Sequence, residues 1–357
     1  MKIGVLTLPL YANYGGILQA YALYSVLTSM GHDVSLIDGK MYEITTLREK
    51  VSVLVWQAMH CIGLRKTIHP QLIVRKEMEQ VIPFIEKHIP RQIALQDVKK
   101  DSFDAIIVGS DQVWRGTYSP LLPYFLDFTQ GWKVRRIAYA ASFGADDWYP
   151  KADLLDKCRQ LIKGFTYVSV RELSGQLICN TLLNRHADWV LDPTMLKTAQ
   201  QYRKSFIHEC RYETPYLLSY ILDQNEEKKM MIAETINSGG ATTEIKEICL
   251  STEGHQSISV ESWLQAIYDA QYIVTDSFHG AVFSLIFNKP FSVIINNDRG
   301  SARFQSLLGM VHLENRIVTN SQELLSSITE PIDWKSVNEE IERKRNYCME
   351  VLKNILQ

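Results

Sequence analysis

The sequence has no two cysteines at metal-ligand or redox spacing. Its six cysteines, Cys61, Cys158, Cys179, Cys210, Cys249 and Cys348, lie far apart, so neither a zinc knuckle nor a C-x-x-C motif is present. Isolated thiols read as small buried hydrophobes. With no export signal in the opening MKIGVLTLPLYANYGG, they point to a reducing cytoplasm. Charge of one sign is also missing. The 38 Lys and Arg against 40 Asp and Glu leave a net charge of −2, which excludes the basic field of a nucleic-acid binder. No apolar run reaches the roughly 20 residues that span a bilayer. The nearest, VSVLVWQAMHCIGL from Val51 to Leu64, lies between Lys50 and Arg65. It reads as a buried helix; the alternative is a helix lying in a membrane interface with Trp56 as its anchor.

Several signatures are absent too. There is no G-x-G-x-x-G, no G-x-x-x-x-G-K-[ST], no G-x-S-x-G, no D-x-D and no H-E-x-x-H. A standard dinucleotide fingerprint, a P-loop and a nucleophile elbow are thereby excluded. No ligand set for a catalytic metal is visible, and no cofactor is expected.

What is present is alternation. The chain of 357 residues is long enough for two domains. Its 46% hydrophobic and 22% charged content fit a globular protein. Apolar strand candidates are Ile3–Leu8, Val34–Asp38, Ala105–Gly109, Arg136–Ala141, Tyr167–Val170 and Trp189–Leu191, with helical stretches such as Ile17–Met30 and Leu154–Gly164 between them. A polar stretch follows, and a second alternating set starts at Pro215: YLLSYIL, a helix over Glu226–Asn237, IKEICL, a helix over Val260–Ala270 capped by Ser259, YIVT, a helix over Ala281–Asn288, then FSVII. One long amphipathic helix, Trp334–Leu356, ends the chain. Strand-helix alternation means parallel sheets covered by helices. The expectation is an α/β protein with two Rossmann-like domains, 1–197 and 212–333, facing across a cleft, and a C-terminal helix over 334–357.

Ligands of open α/β sheets bind outside the carboxyl ends of the strands, and four strand-to-helix junctions carry unusual polar residues. In LPLYANYGGILQAYAL, Gly15 and Gly16 permit a tight turn, and Asn13, Tyr14 and Gln19 bring polar atoms to the opening of a helix. An ordinary glycine turn is the structural alternative. In DAIIVGSDQVW, Asp111 follows a Gly-Ser turn. It is either a helix N-cap or a group that orients or deprotonates a sugar hydroxyl, with Gln112 and Trp114 as saccharide-lining types. In TYVSVRELSGQL, Arg171 is a cation at a helix N-terminus, where it opposes the helix dipole. It reads equally as an anion clamp and as an ion-pair partner of Glu172 or another acid. In TDSFHGAVFSLIFNKP, Ser277, His279 and Gly280 stand where a strand hands over to a helix. There Ser277 and backbone N–H groups can hold an anion, Gly280 permits close approach, and His279 can donate a proton. Arg299 and Arg303, in RGSARFQSLLG, are further cations near the same rim, Arg303 being also a candidate for an ordinary salt bridge.

NYGGILQAYAL, DAIIVGSDQVW, YAASFG, VSVRE, VLDPTML and TDSFHGAVFSLIFNKPF, in this order, resemble the polysaccharide pyruvyl transferase family. The resemblance runs from Lys2 to about Val318. It implies a glycosyltransferase-B-like architecture, phosphoenolpyruvate as donor, a sugar as acceptor, and a pyruvate ketal on a cell-surface glycan or its precursor as product. It implies a donor site with Arg171 on the anionic groups and His279 in proton transfer, and an acidic residue at Asp111. It also implies an arginine two residues before the histidine, where this chain has Ser277; Arg299, Arg303 or a lysine is the candidate to replace it. Acceptor contacts fall on Asn13, Tyr14, Gly15, Gln19, Asp111, Gln112 and Trp114. A lipid-linked acceptor would bring peripheral attachment to the inner membrane face, through Val51–Leu64. The rivals are a nucleotide-sugar glycosyltransferase of the same fold and a non-catalytic glycan- or anion-binding protein.

Overall fold

The computed structural model describes residues 1–37, 47–62, 76, 78–117, 120–208, 215–238, 244–247, 258–295 and 301–357. β1 (Lys2–Leu6), β2 (Asp33–Ile37), β3 (Gln92–Ile93), β4 (Ala105–Val108), β5 (Arg135–Ala141), β6 (Tyr167–Val170) and β7 (Asp188–Trp189) form a seven-stranded sheet in the order β3-β2-β1-β4-β5-β6-β7. β8 (Tyr216–Tyr220), β9 (Glu244–Glu247), β10 (Tyr272–Thr275), β11 (Phe291–Ile294) and β12 (Ile317–Val318) form a five-stranded sheet in the order β12-β11-β10-β8-β9. These pairings are parallel, as in β1 with β2 and β4, and β10 with β8 and β11. β4 and β10 are buried along their whole length. That is why AIIV and YIVT are continuous apolar runs: both faces of a central parallel strand are covered.

In each sheet the strand order reverses once, between β1 and β4 in the first and between β8 and β10 in the second. A reversal leaves a crevice at the carboxyl ends, because the connections on either side run in opposite directions. The two crevices face each other, and at this point the domains touch. Tyr14 stacks on Trp263 with ring centroids 5.4 Å apart. Its hydroxyl donates to the Ile258 carbonyl at 2.7 Å and accepts from the Ile258 N–H at 3.0 Å. One apolar cluster runs through the contact, joining Tyr14, Ile17 and Leu18 to Trp263, Phe278 and Phe283.

Side-chain caps move two helix starts from the expected places. The helix expected over Ile17–Met30 spans Tyr14–Ser29, because the Asn13 side chain accepts from the Gly16 N–H. The helix expected over Ala281–Asn288 begins at Phe278, because Ser277 accepts from the Gly280 N–H. Ser259 caps the helix Val260–Asp269. A cap satisfies a backbone donor that the helix cannot.

The apolar stretch around Val51 needs a correction. It lies in the helix Leu47–Cys61, but that helix is not buried. Val51, Leu54, Val55 and Ile62 are 51–70% exposed, and Val53 is turned inward. Among the described residues no helix is long and apolar enough to cross a membrane.

The last helix, Trp334–Ile355, returns to the first domain. The Leu191 N–H points at Cys348 Sγ at 3.3 Å, Arg345 donates to the Met195 carbonyl at 2.8 Å, and Lys344 lies over the Trp189 ring.

Candidate active site

The first domain contributes through the ends of β1, β4, β6 and β7. After β4 the chain turns at Gly109, whose φ of +125° is open to glycine, and a Cβ there would overlap the Tyr139 carbonyl. Ser110 follows, its hydroxyl donating to Gln19 Oε1 at 2.9 Å and its N–H to the same oxygen at 3.0 Å. Asp111 comes next, with Oδ1 accepting from the Gln112 N–H at 2.8 Å. Arg171 stands at the end of β6 and is 4% exposed. Its Nη1 donates to Asp192 Oδ2 at 2.8 Å, its Nη2 faces Asp111 Oδ1 at 3.4 Å, and its Nε is 4.0 Å from Glu172 Oε2.

The second domain contributes through the end of β10. Asp276 accepts from the N–H groups of Leu222 and Asp223 at 2.6 and 3.1 Å and from Lys228 Nζ at 2.8 Å. It therefore ties the loop after β8 to the end of β10. Ser277 starts the helix, and His279 leaves its first turn towards the first domain. His279 Nε2 is 3.5 Å from Asp192 Oδ2. A protonated ring would attract the carboxylate at that separation, and Nε2 makes no hydrogen bond among the described residues. The other face of the ring packs on Gly15, where a Cβ would overlap Nδ1. Phe278 lies between two guanidinium groups, with its ring centroid 4.9 Å from that of Arg171 and 5.6 Å from that of Arg303. Both placements suit a cation on an aromatic face.

Three carboxylates thus surround Arg171. Burial alone would raise the Asp192 carboxyl, but His279, Arg171 and the Thr194 hydroxyl pull it well below the ordinary carboxylate range. Glu172 goes the other way. Burial raises its carboxyl, and Arg171, the Phe143 N–H and Arg303 offset only part of that. Burial likewise opposes the Arg171 charge, and Asp192, Asp111 and Glu172 more than restore it. This centre balances its positive groups with acids.

Asp111, Arg171 and His279 are each less than a tenth exposed. An open cavity of about 450 Å³, lined by Phe125, Asp127, Arg136 and Lys157 among others, lies at the opposite edge of the first sheet, beside the start of β5.

A family model described as polysaccharide pyruvyl transferase matches residues 13–298. The chain belongs to the polysaccharide pyruvyl transferase family. It is a transferase. No curated protein matches it significantly. Among solved structures it is similar to the UDP-N-acetylglucosamine 2-epimerase of Rickettsia bellii, at 11% identity and a TM-score of 0.52, covering 100% of this chain and 96% of that one. It is also similar to the UDP-GlcNAc 2-epimerase of Methanocaldococcus jannaschii, at 12% identity and a TM-score of 0.50, covering 99% and 100%. At such identities the likeness concerns the fold, a GT-B-like pair of Rossmann-like domains.

In this pyruvyl transferase fold the residues singled out by sequence separate into two groups. Asp111, Arg171 and His279 come together, with Gly15 and Arg303 beside them. The others serve the scaffold. Asn13 and Ser277 are helix caps. Gln19 is buried and braces Thr7, the Gly16 carbonyl and Ser110. Tyr14 is spent on the domain contact. The missing Cβ of Gly280 makes room for the Thr275 side chain of its own domain. Gln112 sits against Gly144 and accepts from Arg115. Trp114 requires a correction: it is 0% exposed, stacked on Phe125 with its indole N–H on the Tyr124 carbonyl, so it lines no saccharide surface. Arg299 lies outside the described residues. Among the described residues no helix follows Asp111 before Leu121, so Asp111 is not an N-cap, and Arg171 does pair with an acid, Asp192 at 2.8 Å, more closely than with Glu172 at 4.0 Å.

Asp192 was not anticipated from the residues as a site group. Its signal was available in VLDPTML: an acid directly after an apolar strand and before Pro193, at the same sheet edge as Asp111 and Arg171.

Proposed function

We propose that this transferase takes its pyruvyl group from phosphoenolpyruvate and sets it as a ketal across two hydroxyls of a saccharide, in a cell-surface polysaccharide or its precursor. The observation that carries the reading is the meeting of His279, from one strand-order reversal, with Arg171 and Asp111, from the other sheet edge, in a chain of this family.

The chemistry divides among these groups. Arg171 has one nitrogen committed to Asp192 at 2.8 Å and one held more loosely by Asp111 at 3.4 Å. A donor carboxylate or phosphate exchanges for Asp111 on the looser side, which keeps the charge-assisted contact and frees the aspartate. His279 delivers a proton to C3 of the enol, and C2 becomes an electron-poor centre. A sugar hydroxyl attacks C2 and gives its proton to Asp111. Inorganic phosphate leaves with the proton taken up by Asp111, and the second hydroxyl closes the ketal, returning its proton to His279. The contact of Tyr14 with Trp263 and Ile258 keeps water from the electron-poor carbon while the domains are together.

A lipid-linked acceptor fits this reading. The helix Leu47–Cys61 exposes Val51, Leu54 and Val55, with Ile62 exposed just beyond it. A helix of this kind rests on a membrane surface.

The test is phosphate release from phosphoenolpyruvate with galactose-, glucose- and mannose-containing acceptors, wild type beside His279→Ala. Acceptor-dependent release that disappears in the variant is the expected result. Release by neither protein, with no thermal stabilisation by phosphoenolpyruvate, sinks the reading.

A further inference from the structure

We propose that Asp192 is the positioning residue of this site, a fixed carboxylate that registers His279 of the second domain against Arg171 of the first. Asp192 stands at the end of the β7 segment, where Pro193 opens a short 3-10 turn. Its Oδ1 is anchored within that turn, accepting from the Thr194 N–H at 3.0 Å and from the Thr194 hydroxyl at 2.7 Å. Two hydrogen bonds to one oxygen set the plane of the carboxylate, and the side chain is 1% exposed. The other oxygen is thereby aimed, and three groups surround it. Arg171 Nη1 is at 2.8 Å, Ser110 Oγ at 3.4 Å and His279 Nε2 at 3.5 Å.

The Ser110 contact is the weak one. A hydroxyl has one proton, and Ser110 directs its own to Gln19 at the shorter distance of 2.9 Å. Arg171 does not depend on Asp192 alone either, since Asp111 and Glu172 also face it. The group with no alternative is His279, whose Nε2 has only Asp192 in reach as an acid among the described ion pairs. Asp192 therefore does for His279 what a fixed carboxylate does for a working imidazole in general: it decides which way the ring faces. Because the ring and the carboxylate belong to different domains, the same contact reports whether the domains are in register.

The inference rests on the pyruvyl-transfer reading for its kinetic consequence and not for its physical one, so two measurements are made on the full chain. The first is a cycle of unfolding midpoints in urea for wild type, Asp192→Asn, His279→Ala and the double variant. Coupled residues give a double variant whose loss is smaller than the sum of the single losses; additive losses overturn the proposal whatever reaction the protein catalyses. The second is phosphate release with phosphoenolpyruvate and an acceptor. Asp192→Asn is expected to lose roughly tenfold or more in kcat, on the scale of an impaired general acid, and to cause no further loss in the His279→Ala background. Losses that multiply in the double variant overturn it. Thr194→Val covers the case in which Asp192→Asn does not fold. It keeps the charge and the backbone N–H contact but removes the shorter of the two hydrogen bonds to Oδ1, and a lower kcat at near-normal stability is expected; an unchanged kcat counts against the proposal. Absence of phosphate release by wild type defeats the pyruvyl-transfer reading and leaves the unfolding cycle to decide the role of Asp192.

Discussion

Gly15 of the first domain packs against the imidazole of His279 in the second, so closely that one added carbon at position 15 would overlap the ring. The glycine is thus needed for contact between domains as well as for a turn. Gly15→Ala should hold the domains apart, with an overpacking cost of about 1–3 kcal/mol and a large loss of transfer activity. Urea unfolding with an activity assay checks both; a fully active, fully stable variant would contradict the contact.

Asp192 gives the fold a pH dependence of definite sign. Although burial alone would raise it, its carboxyl is held well below the usual range by His279, Arg171 and Thr194. A carboxylate lowered in the folded state adds stability above its unfolded pKa of about 3.9. That stability is lost as pH falls through the folded value. The stability gap between wild type and Asp192→Asn should be widest near neutral pH, at about 3 kcal/mol for breaking a buried pair, and should narrow below about pH 4. Unfolding curves at pH 7, 5 and 3 measure the gap, and a constant gap speaks against the assignment.

Trp114 belongs to the core of the first domain, against Phe125 and Phe143. Trp114→Ala should destabilise by about 3–5 kcal/mol through the lost burial and the cavity left behind. Trp114→Phe should fold and keep its affinity for acceptor. A specific loss of acceptor affinity in the phenylalanine variant, measured as KM, would return Trp114 to the saccharide surface.

Ser277 caps the helix that carries His279, accepting from the Gly280 N–H at 3.3 Å. Ser277→Ala should cost about 1 kcal/mol and loosen the placement of the ring, whereas Ser277→Thr keeps the cap. Thermal unfolding of the two variants separates the cases, since equal losses would deny the capping role.

The sequence made the sheets legible because parallel central strands are long apolar runs, as AIIV and YIVT are. It made Asp111, Arg171 and His279 legible because polar groups directly after such strands must sit at one sheet edge. Three things were hidden for physical reasons. Helix starts depend on one capping hydrogen bond, so Asn13 and Ser277 moved them by three residues. Burial of a tryptophan after a turn depends on tertiary neighbours, so Trp114 resembled a sugar platform. A carboxylate anchored by its own turn looks like any aspartate before a proline, so Asp192 remained out of sight until its distances to Arg171 and His279 were known.

The chain passes between the two domains twice, once after β7 and once ahead of the helix Trp334–Ile355. That helix then packs on the first-domain segment just after β7, through Cys348 at the Leu191 N–H and Arg345 at the Met195 carbonyl. Those two contacts flank Asp192, so the last helix acts as a buttress behind the segment that holds the carboxylate facing His279.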